Sequence, residues 1–129
     1  MLLDNFVGIK YEYGQANDER CDCWGLIKLW YERKGLELDI DTEEFYQKYQ
    51  THDKISLLGV WRLKGDKLRE VKRLSDNAIL VGVGSKYVGF GVWISDRGKV
   101  LMIPTGGCSK LISWSEWYNM FDATRILVS

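Results

Sequence analysis

The chain has 129 residues, of which 46% are hydrophobic and 28% are charged, and its 18 Lys and Arg balance its 18 Asp and Glu. This composition is typical of a globular protein and excludes a disordered or collagen-like chain. A net charge of zero provides no basic surplus for binding nucleic acid or an anionic membrane. No apolar run approaches the roughly 20 residues of a membrane-spanning helix. The length predicts one domain over residues 1–129.

The first ten residues have neither the basic start nor the apolar core of a secretory signal, so we expect none. The three cysteines are an odd number, which argues against a disulfide framework and for folding in a reducing compartment. They are Cys21, Cys23 and Cys108. A four-ligand zinc site would need all three thiols and the single histidine, His52. We therefore expect neither a metal nor a cofactor, and a Cys21–Cys23 redox pair would be strained.

The first half of the chain predicts helices. Leu2–Val7 is a candidate short helix, and a polar, glycine-containing loop runs from Tyr11 to Arg20. From Cys23 to Lys34 the apolar residues recur at helical spacing, and Gly35 follows where helices commonly end.

The middle of the chain is harder to interpret. Asp41 with Glu44 resembles a capping box and predicts a second helix through about Tyr49. Residues 51–76 give no clear pattern, and Ile55–Leu63 fits a short helix or a strand.

The second half predicts strands, because the hydrophobic period changes to two. From Tyr87 to Ile94 the residues alternate between two faces, and Gly89 and Gly91 on one face leave room for another backbone to approach closely. The remaining predicted elements are the strands Ala78–Val83, Lys99–Ile103 and Thr124–Val128, and a helix from Ser113 to about Met120 that opens with a capping box. Helices followed by such strands predict an α+β fold with an antiparallel sheet.

The distribution of charged and aromatic residues suggests surfaces that contact other molecules. Leu36 to Asp53 carries a net charge of −5, and Trp61 to Arg73 carries a net charge of +4. Two explanations stay open: complementary contact surfaces in an assembly, or two solvated faces. Six Trp and seven Tyr in a small chain favour a binding role, since aromatic residues are enriched at protein interfaces.

One group of residues could carry chemistry. Asp22-Cys23-Trp24-Gly25 lies where the polar loop meets the predicted helix. A thiol at a helix N-terminus faces unpaired N–H groups and the positive end of the helix dipole, which stabilise a thiolate. A cysteine at a helix start is also often a small buried hydrophobic residue. Nucleophile and core residue are both open interpretations of Cys23.

The surrounding residues resemble a known family. Tyr11-Glu-Tyr-Gly14, followed by Asp22-Cys-Trp-Gly-Leu-Ile27 on a helix ending near Gly35, resembles the NlpC family of papain-like cysteine peptidases, and most of all its branch in the tails of long-tailed bacteriophages. The likeness continues in Asn77-Ala-Ile-Leu-Val81, Tyr87-Val-Gly-Phe90, Gly98-Lys-Val-Leu-Met102 and Trp114 to Trp117, and is weakest from about Thr51 to Ser75. It implies a papain-like fold in which N-terminal helices, with the cysteine at a helix start, pack on an antiparallel sheet.

The resemblance also implies roles for individual residues. Cys23 holds the nucleophile position, Tyr87 stands where the family has its catalytic His, and Met102 stands at the third polar position. A Tyr is a poor general base at neutral pH, and a Met cannot orient a base by hydrogen bonding. The residues implied for the substrate groove are Tyr11, Tyr13, Asp22 and Trp24. His52 falls in the poorly matching middle, and Cys108 is most simply a small turn residue.

Three functions follow as hypotheses. The first is a structural or assembly component of a phage tail tip without hydrolytic activity, made in the host cytoplasm, carried in the virion and bound to other tail-tip or hub proteins. The second is an active cysteine endopeptidase that cleaves peptidoglycan stem peptides or a tail protein, with its base from His52 or a partner chain. The third is a cellular protein that uses the fold for ligand binding. None of the three predicts nucleic-acid binding or membrane insertion.

Overall fold

The computed structural model describes residues 3–38, 50–51, 54–55, 68–84, 88–104 and 106–128. The predicted helix from Asp41 to Tyr49 lies outside these residues, as does the segment Ile55–Leu63 apart from its first residue. Most of both charged segments, His52 and Tyr87 also fall outside them. No helix in the ranges given is long and apolar enough to cross a membrane.

The predicted central helix is confirmed. Helix α1 spans Cys23–Arg33 and is preceded by a short 3₁₀ helix, Leu3–Phe6. It ends at Gly35, whose φ of +70° is the left-handed conformation that glycine adopts most easily. There the N–H of Leu36 donates to the carbonyl of Tyr31 and the N–H of Gly35 to that of Glu32. These two bonds form a Schellman motif, which satisfies carbonyls that the end of a helix leaves open.

The α+β class is also confirmed, since six strands form an antiparallel sheet. In spatial order these are β5 (Arg69–Val71), β10 (Ala123–Val128), β6 (Ile79–Val83), β7 (Val88–Ile94), β8 (Lys99–Met102) and β9 (Lys110–Ser113). Two short pairs form separate sheets: the parallel β1 (Lys10–Tyr11) and β2 (Arg20–Cys21), and the antiparallel β3 (Gln50–Thr51) and β4 (Lys54–Ile55). Strands β5 and β9 were not predicted, and the last strand lies inside the sheet.

Helix α1 covers one face of the sheet. Alternate residues of β7 (Phe90, Val92 and Ile94) point to this face, as the period of two predicted. The α1-side core consists of Leu3, Phe6, Ile9, Cys21, Cys23, Trp24, Leu26, Ile27, Leu29, Trp30, Tyr31, Leu68, Ile79, Val81, Phe90, Val92, Ile94, Leu101, Ile103 and Leu127. Burial of these side chains is the main favourable term that holds α1 on the sheet.

The opposite face is covered by helix α2, Trp114–Met120. Its predicted capping box is present, because Ser113 Oγ accepts from the N–H of Glu116 at 3.1 Å and the Glu116 carboxylate accepts from the N–H of Ser113 at 3.3 Å. The α2-side core consists of Leu80, Val100, Met102, Ile112, Trp117 and Phe121.

Three glycines of β6 and β7 lie beneath α2. A methyl group on Gly82 would overlap the Phe121 ring, and one on Gly89 would lie 2.9 Å from the end of that ring. One on Gly91 would lie 3.0 Å from the Trp117 ring. The sequence predicted that Gly89 and Gly91 leave room for another backbone, but side chains of Phe121, Val100 and Trp117 come closest to them.

The aromatic residues are largely used in the cores. Trp24 and Trp117 are fully buried, Trp30 is 3% exposed, and Tyr118 on α2 is the most exposed of the described aromatic side chains at 63%. Of the nine Trp and Tyr residues that the structure describes, four are buried, three are half-buried against a core and two are exposed. The excess therefore gives less support to a binding surface than the sequence suggested.

Candidate active site

The candidate site begins at the N-terminus of α1, where Asp22 is the N-cap and Cys23 the first helical residue. Both carboxylate oxygens of Asp22 accept backbone hydrogen bonds. Oδ1 accepts from the N–H of Gly25 at 2.7 Å, and Oδ2 accepts from the N–H of Gly14 at 2.8 Å. The first bond caps the helix. The second ties the loop before the helix to the helix start.

That loop packs closely on the first turn of α1. The N–H of Asp22 donates to the carbonyl of Gln15 at 3.2 Å, and the N–H of Glu12 donates to that of Cys21 at 3.0 Å. A methyl group on Gly25 would collide with the Gln15 carbonyl and approach Ala16 Cα to 3.1 Å. Gly25 therefore lets the loop backbone approach the helix. Asp22 and Gly25 of the Asp-Cys-Trp-Gly motif therefore both hold the loop against the first turn of α1.

Cys23 is buried, with 8% of its surface exposed. Burial raises the pKa of the Cys23 thiol to about 12, and the nearby Asp22 carboxylate acts in the same direction. Backbone N–H groups of Phe90, Trp24 and Cys23 act in the opposite direction. The helix start therefore stabilises the thiolate, as expected, but removal from water has the larger effect on this pKa.

The sheet presents apolar side chains to α1. The residues of β6, β7 and β8 in the α1-side core are Ile79, Val81, Phe90, Val92, Ile94 and Leu101. None of these side chains can accept a proton from a thiol or orient a base. Tyr87 and His52 lie outside the described residues.

Met102 does not lie on this face. Its side chain belongs to the α2-side core and is 4% exposed, whereas its neighbours Leu101 and Ile103 belong to the core that contains Cys23. The structure therefore does not bring Met102 together with Cys23. The sequence match put Met102 at the third polar position, but the residues on the Cys23 side are its neighbours Leu101 and Ile103. A shift by one residue along a strand moves a side chain to the other face of the sheet.

The four residues implied for the groove divide into two pairs. Asp22 and Trp24 are fully buried, and the Trp24 ring packs 5.2 Å from that of Phe90. These two support the site from inside and do not line an open groove. Tyr11 is half-buried against the α1-side core, and Tyr13 is 37% exposed. Of the four, Tyr11 and Tyr13 are therefore the pair placed to contact a ligand.

The other cysteines have separate environments. Cys21 is buried, and burial raises the pKa of its thiol to about 12. Cys108 is exposed, and its backbone forms an isolated antiparallel β-bridge with the backbone of Lys10. Neither is part of a disulfide. Across the described ranges, no group of three or more His, Cys, Asp and Glu is arranged to hold a metal ion.

Sequence reasoning missed the contact between Asp22 and Gly14. The signals for it were present, because Asp is a preferred N-cap and Gly14 adopts a φ of +83° that favours glycine. The sequence alone did not show that one carboxylate serves both the helix and the loop.

Comparison with protein families gives one match. The model of the NlpC/P60 family matches residues 8–66, slightly under half of the chain. This segment contains the loop, Asp22, Cys23 and the whole of α1. The α+β fold, with two helices packed on an antiparallel sheet, agrees with the papain-like fold of that family. No curated protein matches the chain.

Proposed function

We propose that the chain is an NlpC/P60 protein of the phage-tail branch and acts as a structural or assembly component of a tail tip, without hydrolytic activity. The observation that carries the proposal is the state of Cys23. Its thiol is buried among apolar side chains, and its pKa is raised to about 12.

A cysteine nucleophile reacts as the thiolate and needs a base to form it. Because burial raises the pKa of the Cys23 thiol well above 7, almost all of the thiol is protonated at neutral pH. Among the residues that the structure describes, the side chains of β6, β7 and β8 in the α1-side core are apolar and cannot serve as that base. Loss of the base of a catalytic triad lowers kcat by several orders of magnitude.

The resemblance of the loop and helix α1 to the phage-tail branch supports the tail role. In this proposal the 129 residues act as one domain, the partners are other tail-tip or hub proteins, and the location is the virion. A particle carries its own proteins to the cell envelope, so such a component needs no secretion signal. Mass spectrometry of tail particles from the phage or prophage that encodes the chain tests this role. We expect the chain in stoichiometric amounts, and its absence from intact tails would contradict the proposal.

A cleavage assay tests the loss of activity. Purified protein and its Cys23→Ala variant are incubated with cross-linked muropeptides, and the products are separated by chromatography and identified by mass. An active NlpC/P60 peptidase is the positive control. We expect no products from either form of the chain. Products that form with the unsubstituted chain and not with the Cys23→Ala variant would establish the second candidate, an active cysteine endopeptidase.

One observation favours that second candidate. The N–H groups of Phe90, Trp24 and Cys23 lower the thiol pKa, and donors of this kind can also stabilise an oxyanion. If cleavage is found, the variants His52→Ala and Tyr87→Phe ask which residue supplies the base. Full activity of both would show that neither residue supplies the base.

A further inference from the structure

We propose that a surface on the α2 side of the sheet binds a second copy of this chain and forms a two-fold dimer. The centre of this surface is an aromatic row, which consists of Trp93, Trp114 and Tyr118. The inference goes beyond the proposed function, because it concerns the face of the sheet opposite the core that contains Cys23. It holds whether or not the chain cleaves peptides.

The aromatic row is continuous from strand β7 to helix α2. The ring of Trp114 lies 6.1 Å from that of Trp93 and 6.2 Å from that of Tyr118, measured between ring centroids. Trp114 and Tyr118 are four residues apart, so they lie on the same side of α2. Of the five described Trp and Tyr residues that are not buried, three therefore lie together on one surface.

The row is both supported from below and open to a partner. Trp93 and Trp114 are half-buried and pack against the α2-side core, which holds their rings in place. Tyr118 is 63% exposed, more than any other large hydrophobic side chain that the structure describes. Trp and Tyr lose few rotamers on binding and often contribute most of the energy of a protein interface. The row is therefore suited to be the centre of an interface.

Acidic residues lie at one side of the row. Residues 114–123, which run from α2 into the start of β10, include Glu116 and Asp122 but neither Lys nor Arg. Both acidic residues are exposed. The surface of α2 is therefore negatively charged beside the aromatic row.

The loop of residues 72–77 lies at the other side of the row. Its Leu74 packs against the α2-side core, as Trp93 and Trp114 do. The N–H of Asn77, at the end of the loop, donates to the carbonyl of Trp93 at 3.0 Å. These two contacts place the loop next to the aromatic row.

This loop is basic at its start. Lys72 and Arg73 are both exposed. The one carboxylate of the loop, Asp76, accepts a hydrogen bond from the N–H of Ser95 at 3.2 Å. The surface therefore has a negative side, an aromatic centre and a positive side.

A second copy of the chain is the partner that matches this arrangement. A two-fold axis along the aromatic row places the acidic side of each copy against the basic loop of the other, so opposite charges meet twice. The same rotation brings the two aromatic rows into contact at the centre. A partner with one sign of charge would match only one side of the row. Two-fold dimers are also the commonest assemblies of soluble proteins.

Sedimentation equilibrium of the full chain across the micromolar range measures its mass in solution. We expect a monomer–dimer equilibrium and no larger species, since a two-fold contact is closed. Tyr118→Ser should raise the dissociation constant of the dimer roughly tenfold or more, because the ring takes part twice. Val7→Ser is the matched control, because Val7 is also exposed, at 47%, and follows Phe6 of the α1-side core. Neither substitution should change thermal unfolding of the monomer by much, since both side chains are exposed.

Charge reversal tests the orientation of the two copies. One variant carries Lys72→Glu and Arg73→Glu, and a second carries Asn119→Lys and Asp122→Lys, all at exposed positions. Each variant alone should stay monomeric at concentrations where the unsubstituted chain dimerises, because like charges would face each other. An equal mixture of the two should form a heterodimer, since both contacts then join opposite charges.

Several results would overturn the inference. A monomer at every concentration would do so, as would equal effects of Tyr118→Ser and Val7→Ser. Species larger than a dimer would contradict the two-fold axis. A mixture of the two charge variants that stays monomeric would show that the acidic side and the basic loop do not meet. None of these outcomes bears on muropeptide cleavage, which tests the proposed function separately.

Discussion

The two faces of the sheet are each covered by a helix, but the strands meet the two helices in different ways. On the α1 side, strand residues with large side chains, such as Phe90 and Val92, meet an 11-residue helix. On the α2 side, Gly82, Gly89 and Gly91 present no side chain, and rings from α2 and the residue after it fill the space. The α1 face is packed by side chains from both the helix and the strands, whereas the α2 face combines aliphatic strand residues with rings that lie against glycines.

The difference bears directly on Cys23. The α1 side surrounds the thiol with apolar side chains, and the burial that stabilises this core also raises the pKa of the thiol. A cysteine peptidase needs a polar side chain on this face to act as the base. The described strands instead supply Ile79, Val81 and Leu101. In this chain the α1 face is organised as a core.

The largest effect on stability is expected at the glycines beneath α2. Gly82→Ala should lower the free energy of unfolding by about 3 kcal/mol, because its methyl group overlaps the Phe121 ring. Gly89→Ala should cost less, since it meets only the end of that ring. Urea unfolding measures both. In a Phe121→Ala background the cost of Gly82→Ala should fall below about 1 kcal/mol. If the costs simply add, the ring is not what requires the glycine.

A second prediction concerns the attachment of α1 to the sheet at Asn77. Its φ is +65°, its Oδ1 accepts from Trp30 Nε1 at 2.9 Å, and its carbonyl accepts from the Tyr31 hydroxyl. Asn77→Ala should cost about 2 kcal/mol, because it loses the indole bond and strains the left-handed backbone. Asn77→Gly should cost about 1 kcal/mol less, since glycine removes the strain. Equal costs in thermal unfolding would show that the backbone conformation contributes nothing.

The buried thiol predicts a pH dependence of stability. The folded-state pKa of Cys23 is raised to about 12, so the folded state keeps a proton that the unfolded chain loses above its ordinary pKa of about 8.5. The stabilisation is present at lower pH and is lost as pH rises toward 12, by about 1.4 kcal/mol per pH unit for one group. Cys21 and Tyr31, with pKa values also raised to about 12, add to this slope.

Cys23→Ser removes one titrating group. Above about pH 8.5 the free energy of unfolding should therefore fall less steeply with pH, by about 1.4 kcal/mol per pH unit. The measurement is urea unfolding from about pH 8.5 to 11, the range above the ordinary thiol pKa, and Cys108→Ser at an exposed position is the control. An unchanged slope in Cys23→Ser would mean that the thiol already ionises in the folded protein.

The smallest effect is expected at the start of α2. Ser113→Ala removes the side-chain acceptor of the capping box and should cost about 1 kcal/mol. Ser115→Ala, on the exposed side of the same helix, should change stability by less than about 0.5 kcal/mol. Equal effects in thermal unfolding would contradict the role of the cap.

These positions also show what the sequence could predict. Helix α1, its Gly35 terminus and the Ser113 capping box follow from local chemistry, and all three are present. Strand β9 was missed because Lys110–Ser113 is short and runs directly into a helix, so it has too few residues to show a period. The position of β10 between β5 and β6 depends on long-range pairing that no local pattern encodes.

Within the candidate site, Cys23 at the helix start was predicted from the motif and is confirmed in position. The burial of the thiol was left open by the sequence, because it depends on residues such as Phe90 that are distant along the chain. The placement of Met102 was missed for a related reason, since matching residues along a strand does not fix which face each one occupies.

The most direct test of the central claim is the pH dependence of Cys23 alkylation, measured with Cys21 and Cys108 both replaced by Ser. A buried thiol predicts slow reaction from about pH 6 to 9, with no plateau and a rise only under strongly alkaline conditions. Unfolding the same protein in urea should restore fast alkylation with an apparent pKa of about 8.5. Fast reaction in the folded protein with an apparent pKa below about 7 would show a stabilised thiolate, and Cys23 would then be a working nucleophile.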